Sequence, residues 1–529
     1  KTPMRVTASY LSAFLLLVVC LFYGNCPKIF CRAFQPYQAL FLRLQTQQLQ
    51  KEHSVRTKHF ECRATTTPGK TSTATRTAHI AMTTSSDDRG DQTRNHLFKI
   101  RTITAFVTLK DSDFDGDATT VQSKLETTSK ALQTARKQLE GDGSGNGYEI
   151  QTLRVATNPF PEYLIGPDKN SKIFDDAIVQ KRLKLLDDCF EGHGIGFVSL
   201  GPACSQETLE LCTIIVDFSG RFSCSVQLAS NDVALAKASA ETILRNSKLG
   251  NPEEGGLANF RFCVANVKPY IPFFPAAKGI TENDESFKIR FAIGLENGAL
   301  LKDLLQNDAD RTVAKILPPK TLSSDSGNSF ASGFAELVHP IQTVCEEVVK
   351  DWDDSTAVLE YIGLDASFNP SLDEEGSVAS AVELLEEVPR GFGGVGTIAA
   401  TAAMTTAIQT KFPSNEEGFG IKLTGYNGLM LPLCEDRRLA QLATEGKLRM
   451  TDLLNVSSVC GVGIDTVPIP GDANADELTS LLLDVVGLAE RWNKPLSCRV
   501  FPVPNKKVGE MTTFDSPYLV NSKILPVST

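Results

Sequence analysis

The sequence predicts an α/β fold in which parallel strands are joined by crossover helices. From residue 98 onward, segments with alternating apolar and polar residues, typical of strands, are followed by segments with apolar residues at helical spacing. This order repeats along the chain, which favours a parallel sheet covered by helices. No internal repeat of fixed period is visible, so solenoids and propellers are excluded.

The first half of this body follows a strand–helix rhythm. Apolar residues alternate over 103–109 and recur at helical spacing over 121–139, before a glycine-rich turn at 141–147. Leu153 and Val155 indicate the next strand. The same criteria predict a helix over 173–190, a buried strand over 196–200 and a helix over 232–246 that is capped by Asn231.

The second half continues the rhythm. Its clearest strand patterns cover 260–264 and 287–295 and are separated by a loop rich in proline and aromatic residues. A buried run over 358–364 predicts a further strand, and three helices are predicted over 377–388, 397–411 and 476–492. We therefore expect residues 97–529 to form a single large α/β domain.

A glycine-rich turn at 391–396 matches the dinucleotide-binding pattern G-x-G-x-x-G. That pattern needs a strand before the turn, whereas the preceding segment is predicted to be a helix that ends at Pro389, so a Rossmann-type site is disfavoured. The backbone N–H groups of Gly396 and Thr397 remain candidates for holding a phosphate or carboxylate at a helix start. The alternative is a tight turn with a purely structural role.

Asp365 and Ser367 follow the buried run at 358–364. They place an acid and a hydroxyl at the carboxyl end of a strand, where the ligand sites of open α/β sheets collect. A helix cap or a turn is the alternative, and the residues leave both interpretations open.

The segment 459–472 combines a thiol, several glycines and two carboxylates. The glycines around Cys460 allow close approach of a backbone or a ligand, and Asp465 and Asp472, in a loop stiffened by prolines, form a candidate pair for a cation or a substrate hydroxyl. Cys460 is a candidate nucleophile or ligand contact. The small residues around it equally fit packing at the end of a buried strand.

Charge is distributed unevenly along the chain. Residues 1–86 hold 11 of the 53 Lys/Arg and 2 of the 63 Asp/Glu, which leaves 42 basic and 61 acidic residues in the remainder. A body this acidic repels a phosphate backbone, so nucleic acid is excluded as a partner of the folded part. The cysteines of the body show no CxxC pair, which indicates reduced thiols and argues against structural zinc.

The N-terminus has the features of a targeting segment. An apolar run over 10–23 predicts a signal peptide at 1–33, and the basic, Ser/Thr-rich residues 34–96 predict a disordered transit segment. With the junction Ala33-Phe34-Gln35-Pro36, this arrangement resembles the two-part presequence of algae with complex plastids. We expect a location in the plastid stroma and no membrane attachment of the mature form. Secretion, or a translation start near Met82, is the alternative.

A series of motifs runs in collinear order from residue 98 to the C-terminus. They are Pro272-Phe273-Phe274-Pro275-Ala276-Ala277, Phe291-Ala292-Ile293-Gly294-Leu295-Glu296, Gly363-Leu364-Asp365-Ala366-Ser367, Gly396-Thr397, Gly428-Leu429-Met430-Leu431-Pro432, Glu435-Asp436, Cys460-Gly461, Gly463-Ile464-Asp465-Thr466-Val467-Pro468-Ile469-Pro470-Gly471-Asp472, Lys494-Pro495-Leu496 and Arg499. Together they resemble the uncharacterised family called domain of unknown function 711.

The resemblance implies a fold like that of pyruvate formate-lyase, an α/β barrel with a loop threading its interior, but no known activity. In glycyl-radical enzymes of that fold a cysteine loop precedes an Arg-Val-x-Gly segment. Here Cys460 precedes Arg499-Val500-Phe501-Pro502, and proline stands where the glycine is required, so glycyl-radical chemistry is not expected. Many family members carry a Tyr-His pair after the position of Ala277, where this chain has Lys278-Gly279, which makes Lys278 a candidate replacement.

These features predict an enzyme that acts on a small anionic or carbonyl metabolite. Cys460 would be the nucleophile or a ligand contact, Asp365 the acid–base group and Arg499 a carboxylate clamp. Asp465 is assigned to the catalytic group with them, and the ligand-binding candidates are Gly396, Thr397, Ser367, Asp472 and Lys278. No metal or cofactor is assigned, and a symmetric homo-oligomer is expected.

Two other classes of protein remain open from the sequence. One is a non-catalytic ligand-binding or scaffolding protein on the same barrel, which an unperturbed thiol and a ligand bound but unchanged would favour. The other, less favoured, is a protein dependent on a divalent cation held by Asp365, Asp465 and Asp472.

Overall fold

A computed structural model describes residues 95–141, 147–166, 174–250, 256–284, 286–307, 311–317, 329–413 and 419–528. The predicted signal peptide (1–33), nearly all of the predicted transit segment (34–96) and the centre of the glycine-rich turn at 141–147 lie outside these residues. Within them, every helix is too short or too polar to span a membrane.

The described residues form nine strands and twelve α-helices in largely alternating order. Numbered along the chain, they are β1 (Lys99–Val107), α1 (Thr119–Glu140), β2 (Ile150–Thr157), α2 (Asp176–Gly192), β3 (Phe197–Ala203), α3 (Leu209–Phe218), β4 (Phe222–Gln227), α4 (Val233–Asn246), β5 (Phe262–Asn266), β6 (Lys288–Glu296), α5 (Gly298–Gln306), α6 (Val313–Ile316), α7 (Ser329–Lys350), β7 (Val358–Asp365), α8 (Val378–Val382), α9 (Thr397–Lys411), α10 (Arg437–Thr444), α11 (Met450–Ser457), β8 (Gly463–Pro470), α12 (Ala475–Trp492) and β9 (Leu496–Val503).

The strands form one mixed sheet in the order β7-β6-β1-β2-β3-β4-β5-β9-β8. Strands β1 to β5 are parallel neighbours, and helices α1 to α4 connect them in turn. Strands β6 and β7 are parallel to each other, as are β8 and β9, but each of these pairs joins the central block through an antiparallel contact. The predicted parallel sheet with crossover helices is therefore confirmed for most strand pairs, and the two antiparallel contacts are a correction.

The connection between β5 and β6 crosses the sheet face opposite to the helices. On β1, Ile103 points into the main hydrophobic core formed with the helices, whereas the Thr104 hydroxyl donates to the Pro272 carbonyl at 2.7 Å. On β3, the Ser199 hydroxyl donates to the Ala277 carbonyl at 2.7 Å. Because neighbouring residues of a strand point to opposite faces, the sheet has helices on one side and this connection on the other.

Residues 421–434, which we call the edge segment, contact both outer strands of the sheet. On the β7 side the Leu364 N–H donates to the Lys422 carbonyl at 2.9 Å, and on the β8 side the Leu433 N–H donates to the Asp465 carbonyl at 3.0 Å. Among the described residues β7 and β8 do not pair with each other, so strand pairing alone gives an open sheet. The edge segment occupies the position between its two edges.

The helix predicted over 377–388 is shorter in the structure. It ends at Val382, and turns follow up to Pro389. The Glu386 amide donates to the Arg311 carbonyl, outside the helix, at 3.0 Å. Helical dihedral angles are also disfavoured for the residue that precedes a proline. The tertiary hydrogen bond of Glu386 therefore replaces a helical one, whereas Pro389 restricts only the last predicted residue, Val388.

Two further differences, each of one or two residues, concern β5 and α4. The strand predicted over 260–264 begins at Phe262 because the 3₁₀-helix Leu257–Arg261 takes its first residues. Helix α4 is capped by the side chain of Asp232, one residue after the predicted Asn231. Both differences lie at element ends, where local capping and tertiary contacts compete.

Candidate functional site

A cavity of about 650 Å³ lies beside the β5–β6 connection. Its walls include Arg101, Thr152 and Phe197 from the first residues of β1, β2 and β3, Phe274 from the connection, and Tyr518 from the C-terminal segment. Residues of the edge segment, β8 and β9 complete the walls. The cavity therefore opens near the amino ends of the central parallel strands.

Five charged side chains in the cavity form a continuous series of ion pairs, which we call the ion-pair chain. Arg101 donates to Glu296 at 3.1 Å and to Glu435 at 2.8 Å. Arg499 donates to the other carboxylate oxygen of Glu435 at 2.9 Å and makes two bonds to Asp465, of 2.6 and 3.0 Å. With three acids and two bases, the ion-pair chain carries a formal charge of −1.

Burial and ion pairing have opposite effects on the pKa values of the groups in the ion-pair chain. The exposed fractions of Arg499, Asp465 and Glu435 are 6%, 8% and 5%. Burial raises the pKa of Asp465, and Arg499 opposes that rise. Burial alone would lower the pKa of Arg499, but Asp465 and Glu435 raise it above its ordinary value. Burial also raises the pKa of Glu296, against the charge of Arg101. Arg499 therefore stays charged at every physiological pH.

Arg154 lies in the same cavity but outside the ion-pair chain. Its side chain is 6% exposed, and its Nε donates to the Thr152 hydroxyl at 2.9 Å. Within the described part of the chain, its terminal nitrogens have no hydrogen-bond acceptor. The guanidinium lies 5.1 Å from the ring centroid of Phe197 and 4.8 Å from that of Phe274. Burial, followed by the charge of Arg101, lowers the pKa of Arg154 to about 9, so the group is still charged at neutral pH.

Aromatic rings form the wall next to Arg154. Phe274 stacks on Phe197 with 5.1 Å between ring centroids and meets Phe260 edge-on at 5.4 Å. Tyr518, which is 47% exposed, stacks on Phe260 at 6.0 Å. The cavity thus combines buried charges with an apolar wall, a combination typical of small-molecule sites.

Two predicted site residues, Arg499 and Asp465, line this cavity and bind each other. The sequence predicts Arg499 as a clamp for a ligand carboxylate. In the structure its nitrogens already donate to Asp465, to Glu435 and to the Phe260 carbonyl, the last at 3.2 Å. Among the buried guanidinium groups of the cavity, that of Arg154 has terminal nitrogens without an acceptor in the described part of the chain, so it can hold a ligand anion.

Asp365 and Ser367 support the cavity wall from behind. Asp365 is fully buried and accepts bonds from the Tyr426 N–H (2.8 Å), the Asn427 N–H (3.2 Å) and the Ser367 hydroxyl (2.6 Å). The Ser367 hydroxyl accepts from the Gly428 N–H at 3.1 Å. Burial raises the pKa of Asp365, and these bonds oppose the rise. Because Tyr426 lines the cavity and Asp365 does not, Asp365 positions the edge segment.

Cys460 packs against the same segment and is also outside the cavity walls. Its thiol is 2% exposed, and its closest polar contact is the Leu429 carbonyl at 3.9 Å. Burial raises the pKa of the thiol to about 11, so it is protonated at neutral pH. Among the described contacts it makes no hydrogen bond to Asp365 or Arg499. The geometry fits the packing interpretation of Cys460 and separates it from the predicted joint site.

Asp465 and Asp472 do not form a pair. Residues 463–470, predicted as a loop, are strand β8, which pairs with β9 along its length. An extended chain advances about 3.3 Å per residue, so seven residues separate the two carboxylates by about 20 Å. Asp465 faces the cavity, whereas Asp472 is exposed in the turn after the strand. No cluster of three or more potential metal ligands occurs among the described residues.

Gly396 and Thr397 belong to a tight turn away from the cavity. The Thr397 N–H donates to the Gly394 carbonyl at 3.3 Å, and the Thr397 hydroxyl accepts from the Gly393 N–H at 3.1 Å. Gly396 has φ 94°, and a Cβ there would lie 1.6 Å from the Glu387 carbonyl oxygen. The Thr397 amide already has an acceptor, which favours the structural alternative for that residue.

Lys278 lies at the other end of the central strands. Its ammonium donates to the side chain of Gln227, the last residue of β4, at 2.5 Å. Burial lowers the pKa of Lys278 to about 8. Lys278 does not line the cavity, so it makes no ligand contact there in place of the histidine that other family members carry.

Arg154, Arg101, Glu296 and Glu435 line the cavity but are not among the site residues predicted from the sequence. A signal for Arg154 was present, because it stands between Leu153 and Val155 in a predicted strand of a parallel sheet. Both faces of such a sheet are usually covered, so a charged residue in mid-strand is expected to be buried and to need a partner.

Comparisons with known proteins agree on one family. The family described as Uncharacterised ACR (DUF711) matches residues 92–516. The UPF0210 protein of Pyrobaculum islandicum is 26% identical over 405 residues, which cover 74% of this chain and 82% of the relative. The UPF0210 protein of Oleidesulfovibrio alaskensis is 25% identical over 463 residues (83% and 92%), and that of Neisseria meningitidis serogroup B is 24% identical over 441 residues (81% and 90%). These names state no activity.

Proposed function

This chain belongs to the uncharacterised DUF711 family, and on that premise we propose that the protein is an enzyme that binds a small anionic metabolite in its cavity and acts on it. The observation that best supports the proposal is the guanidinium of Arg154, whose terminal nitrogens have no acceptor in the described part of the chain. A buried charge without a partner is costly to the folded state, and the oxygens of a carboxylate or phosphate would supply the acceptors that its terminal nitrogens lack.

The carboxylates of the ion-pair chain are candidate proton acceptors. Burial raises the pKa of Asp465, so this carboxyl takes up a proton more readily than a solvated aspartate does. We propose that Asp465 exchanges a proton with the bound ligand while Arg154 holds the anion and Arg499 orients Asp465. Asp365 and Cys460 act through the edge segment. This chemistry requires no thiolate and no radical at the position of Pro502.

We also propose that the sheet closes into a barrel like that of pyruvate formate-lyase through the edge segment. Two observations support this closure. Residues 421–434 hydrogen-bond to both outer strands, and the β5–β6 connection lies on the face opposite to the helices, as an interior loop would.

A non-catalytic ligand-binding protein is the second candidate. It is favoured by the protonated thiol of Cys460 and by the arginine partner that every acid of the ion-pair chain already has. Ligands that stabilise the protein can be incubated with it and followed by proton NMR. Conversion of the ligand supports the enzyme, and binding without conversion supports this alternative.

Substitution of Arg154 tests the anion site. We expect Arg154→Gln to weaken binding of carboxylate or phosphate ligands about ten- to hundredfold, because charged hydrogen bonds contribute about 1.5–3 kcal/mol. Unfolding stability should change little, since the lost ring contacts are offset by removal of an unpaired buried charge. Calorimetric titration with mono- and dicarboxylates and phosphate monoesters measures the affinities, and urea unfolding measures the stability.

Arg261→Gln is the matched control. Like Arg154, Arg261 has no carboxylate partner among the described residues, but it donates to the Ser219 and Phe222 carbonyls and does not line the cavity. Equal affinities of the Arg154→Gln and wild-type proteins for every ligand that binds would contradict the proposal.

We propose that residues 1–96 direct the protein to a complex plastid. A fluorescent protein carrying these residues should accumulate in the plastid stroma of an alga with complex plastids, and substitution of Phe34 by Ala should retain it outside the stroma. Secretion of the fusion would contradict this proposal and support the alternative.

A further inference from the structure

The charges of the cavity are separated into two parts of opposite sign. The ion-pair chain contains Glu296, Glu435 and Asp465 but only Arg101 and Arg499, so it carries one excess negative charge. Arg154 carries one positive charge and pairs with none of these acids in the described part of the chain. The six groups together are neutral, yet the cavity has a negative region and a positive region.

The excess negative charge is located at the two ends of the ion-pair chain. Glu435 lies between Arg101 and Arg499, so both of its oxygens accept from a guanidinium. Glu296 is a terminal member, and among the described residues its second oxygen accepts from the neutral amide of Gln151 alone, at 2.9 Å. Each carboxylate oxygen has two lone pairs, so a further donor can bind at Glu296.

Two other charged residues of the cavity do not alter this balance. Arg437 and Asp373 both line it, but both are exposed at its rim. Solvent screens them, and their charges cancel. The six buried or half-buried charges therefore decide which ligand fits.

A ligand with only an anionic group would neutralise Arg154 and leave the negative region uncompensated. A ligand with two anionic groups would place the second one against that region, which is unfavourable in a buried site. An ammonium group would neutralise the negative region and donate to Glu296. The rings of Phe197, Phe260 and Phe274 offer an apolar surface for the remainder of such a ligand.

We propose that the ligand is a zwitterion of the amino-acid class, whose carboxylate binds Arg154 and whose ammonium binds the ion-pair chain at Glu296. This inference rests on the proposed function, because it assumes that Arg154 binds the anionic group. It adds that the ligand carries an amine and that its net charge is zero.

Matched sets of three ligands test the inference by calorimetric titration of the purified chain. One set is phenylalanine, 3-phenylpropanoate and 2-phenylethylamine, and leucine and alanine provide two further sets with their deaminated and decarboxylated analogues. We expect the amino acid of at least one set to bind tenfold or more tightly than both analogues. Equal binding of an amino acid and its deaminated acid overturns the zwitterion while the anion site stands. Binding of phosphate monoesters alone has the same meaning, and no binding of any anion overturns both proposals.

Glu296→Gln separates the amine contact from the anion contact. The amide keeps a hydrogen-bond acceptor for Arg101 and removes the excess charge, so folding should be retained. We expect the preference for the amino acid over its deaminated acid to fall at least fivefold, with the affinity for the deaminated acid unchanged or higher. Glu140→Gln, at a surface pair with Arg136 on α1, is the control. An unchanged preference in Glu296→Gln overturns the assignment of the ammonium site.

Discussion

Arg499→Met is expected to destabilise the folded protein by about 3–5 kcal/mol, because removal of one partner leaves buried carboxylates without compensation. Arg499 binds Asp465 through two hydrogen bonds and Glu435 through a third, and all three side chains are largely buried. Urea unfolding at pH 7.5 measures the loss. The surface substitution Arg136→Met, which removes an exposed pair with Glu140, should cost at most about 0.5 kcal/mol.

The loss caused by Arg499→Met should depend on pH. Burial already raises the pKa of Asp465, and without Arg499 nothing in that pair opposes the rise. A carboxyl whose pKa is higher in the folded state stabilises that state at low pH, and this stabilisation is lost as the pH rises through the folded pKa. The deficit of the variant relative to wild type should therefore be smaller at pH 5 than at pH 8. A deficit that grows on acidification, or one no larger than that of Arg136→Met, would contradict the assigned pairing.

Gly461→Ala is the second substitution for which a large loss is expected, of about 2–5 kcal/mol. Gly461 has φ 64°, and a Cβ there would lie 2.0 Å from the Leu429 carbonyl oxygen in the edge segment. The positive φ contributes strain of about 1–2 kcal/mol, and overpacking against a backbone atom contributes about 1–3 kcal/mol more. Urea unfolding and thermal unfolding both measure this loss.

Gly446→Ala separates the two contributions to that loss. Gly446 has a similar φ of 71°, but a Cβ there would have no neighbour within 4 Å. This variant should lose only about 1–2 kcal/mol, from backbone strain. Equal losses in the two variants would show that contact with the edge segment is unimportant, and would remove the structural reason for the glycine next to Cys460.

The spacing of apolar residues predicts helices and strands that are buried on one face. It fails where tertiary contacts determine the local structure. The helix predicted over 397–411 has those same limits in the structure, and the helical spacing over 121–139 lies within α1. Over 121–139 the apolar residues repeat at helical spacing and are buried, so local pattern and packing agree. The residues of β8 are buried on both faces, so they show no alternation, and their prolines suggest a loop.

The candidate site was predictable in part. Arg499 and Asp465 stand in motifs that resemble the family, and both line the cavity. Asp365 and Cys460 are in similar motifs, but one accepts hydrogen bonds from the edge segment and the other packs against it. A motif reports that a residue is constrained and does not report whether the constraint is a ligand or a backbone. Arg154 has no such motif, and its role depends on acceptors that are absent from its surroundings in space.

The edge segment also bears on how the protein avoids association through its sheet. The outer strands of an open sheet present unpaired N–H and C=O groups, which can pair with a strand of another chain. At Leu364 on β7 and at Asp465 on β8, backbone groups are already engaged by residues 422 and 433. The edge segment, which forms one wall of the cavity, therefore also protects the outer strands from pairing with strands of another chain.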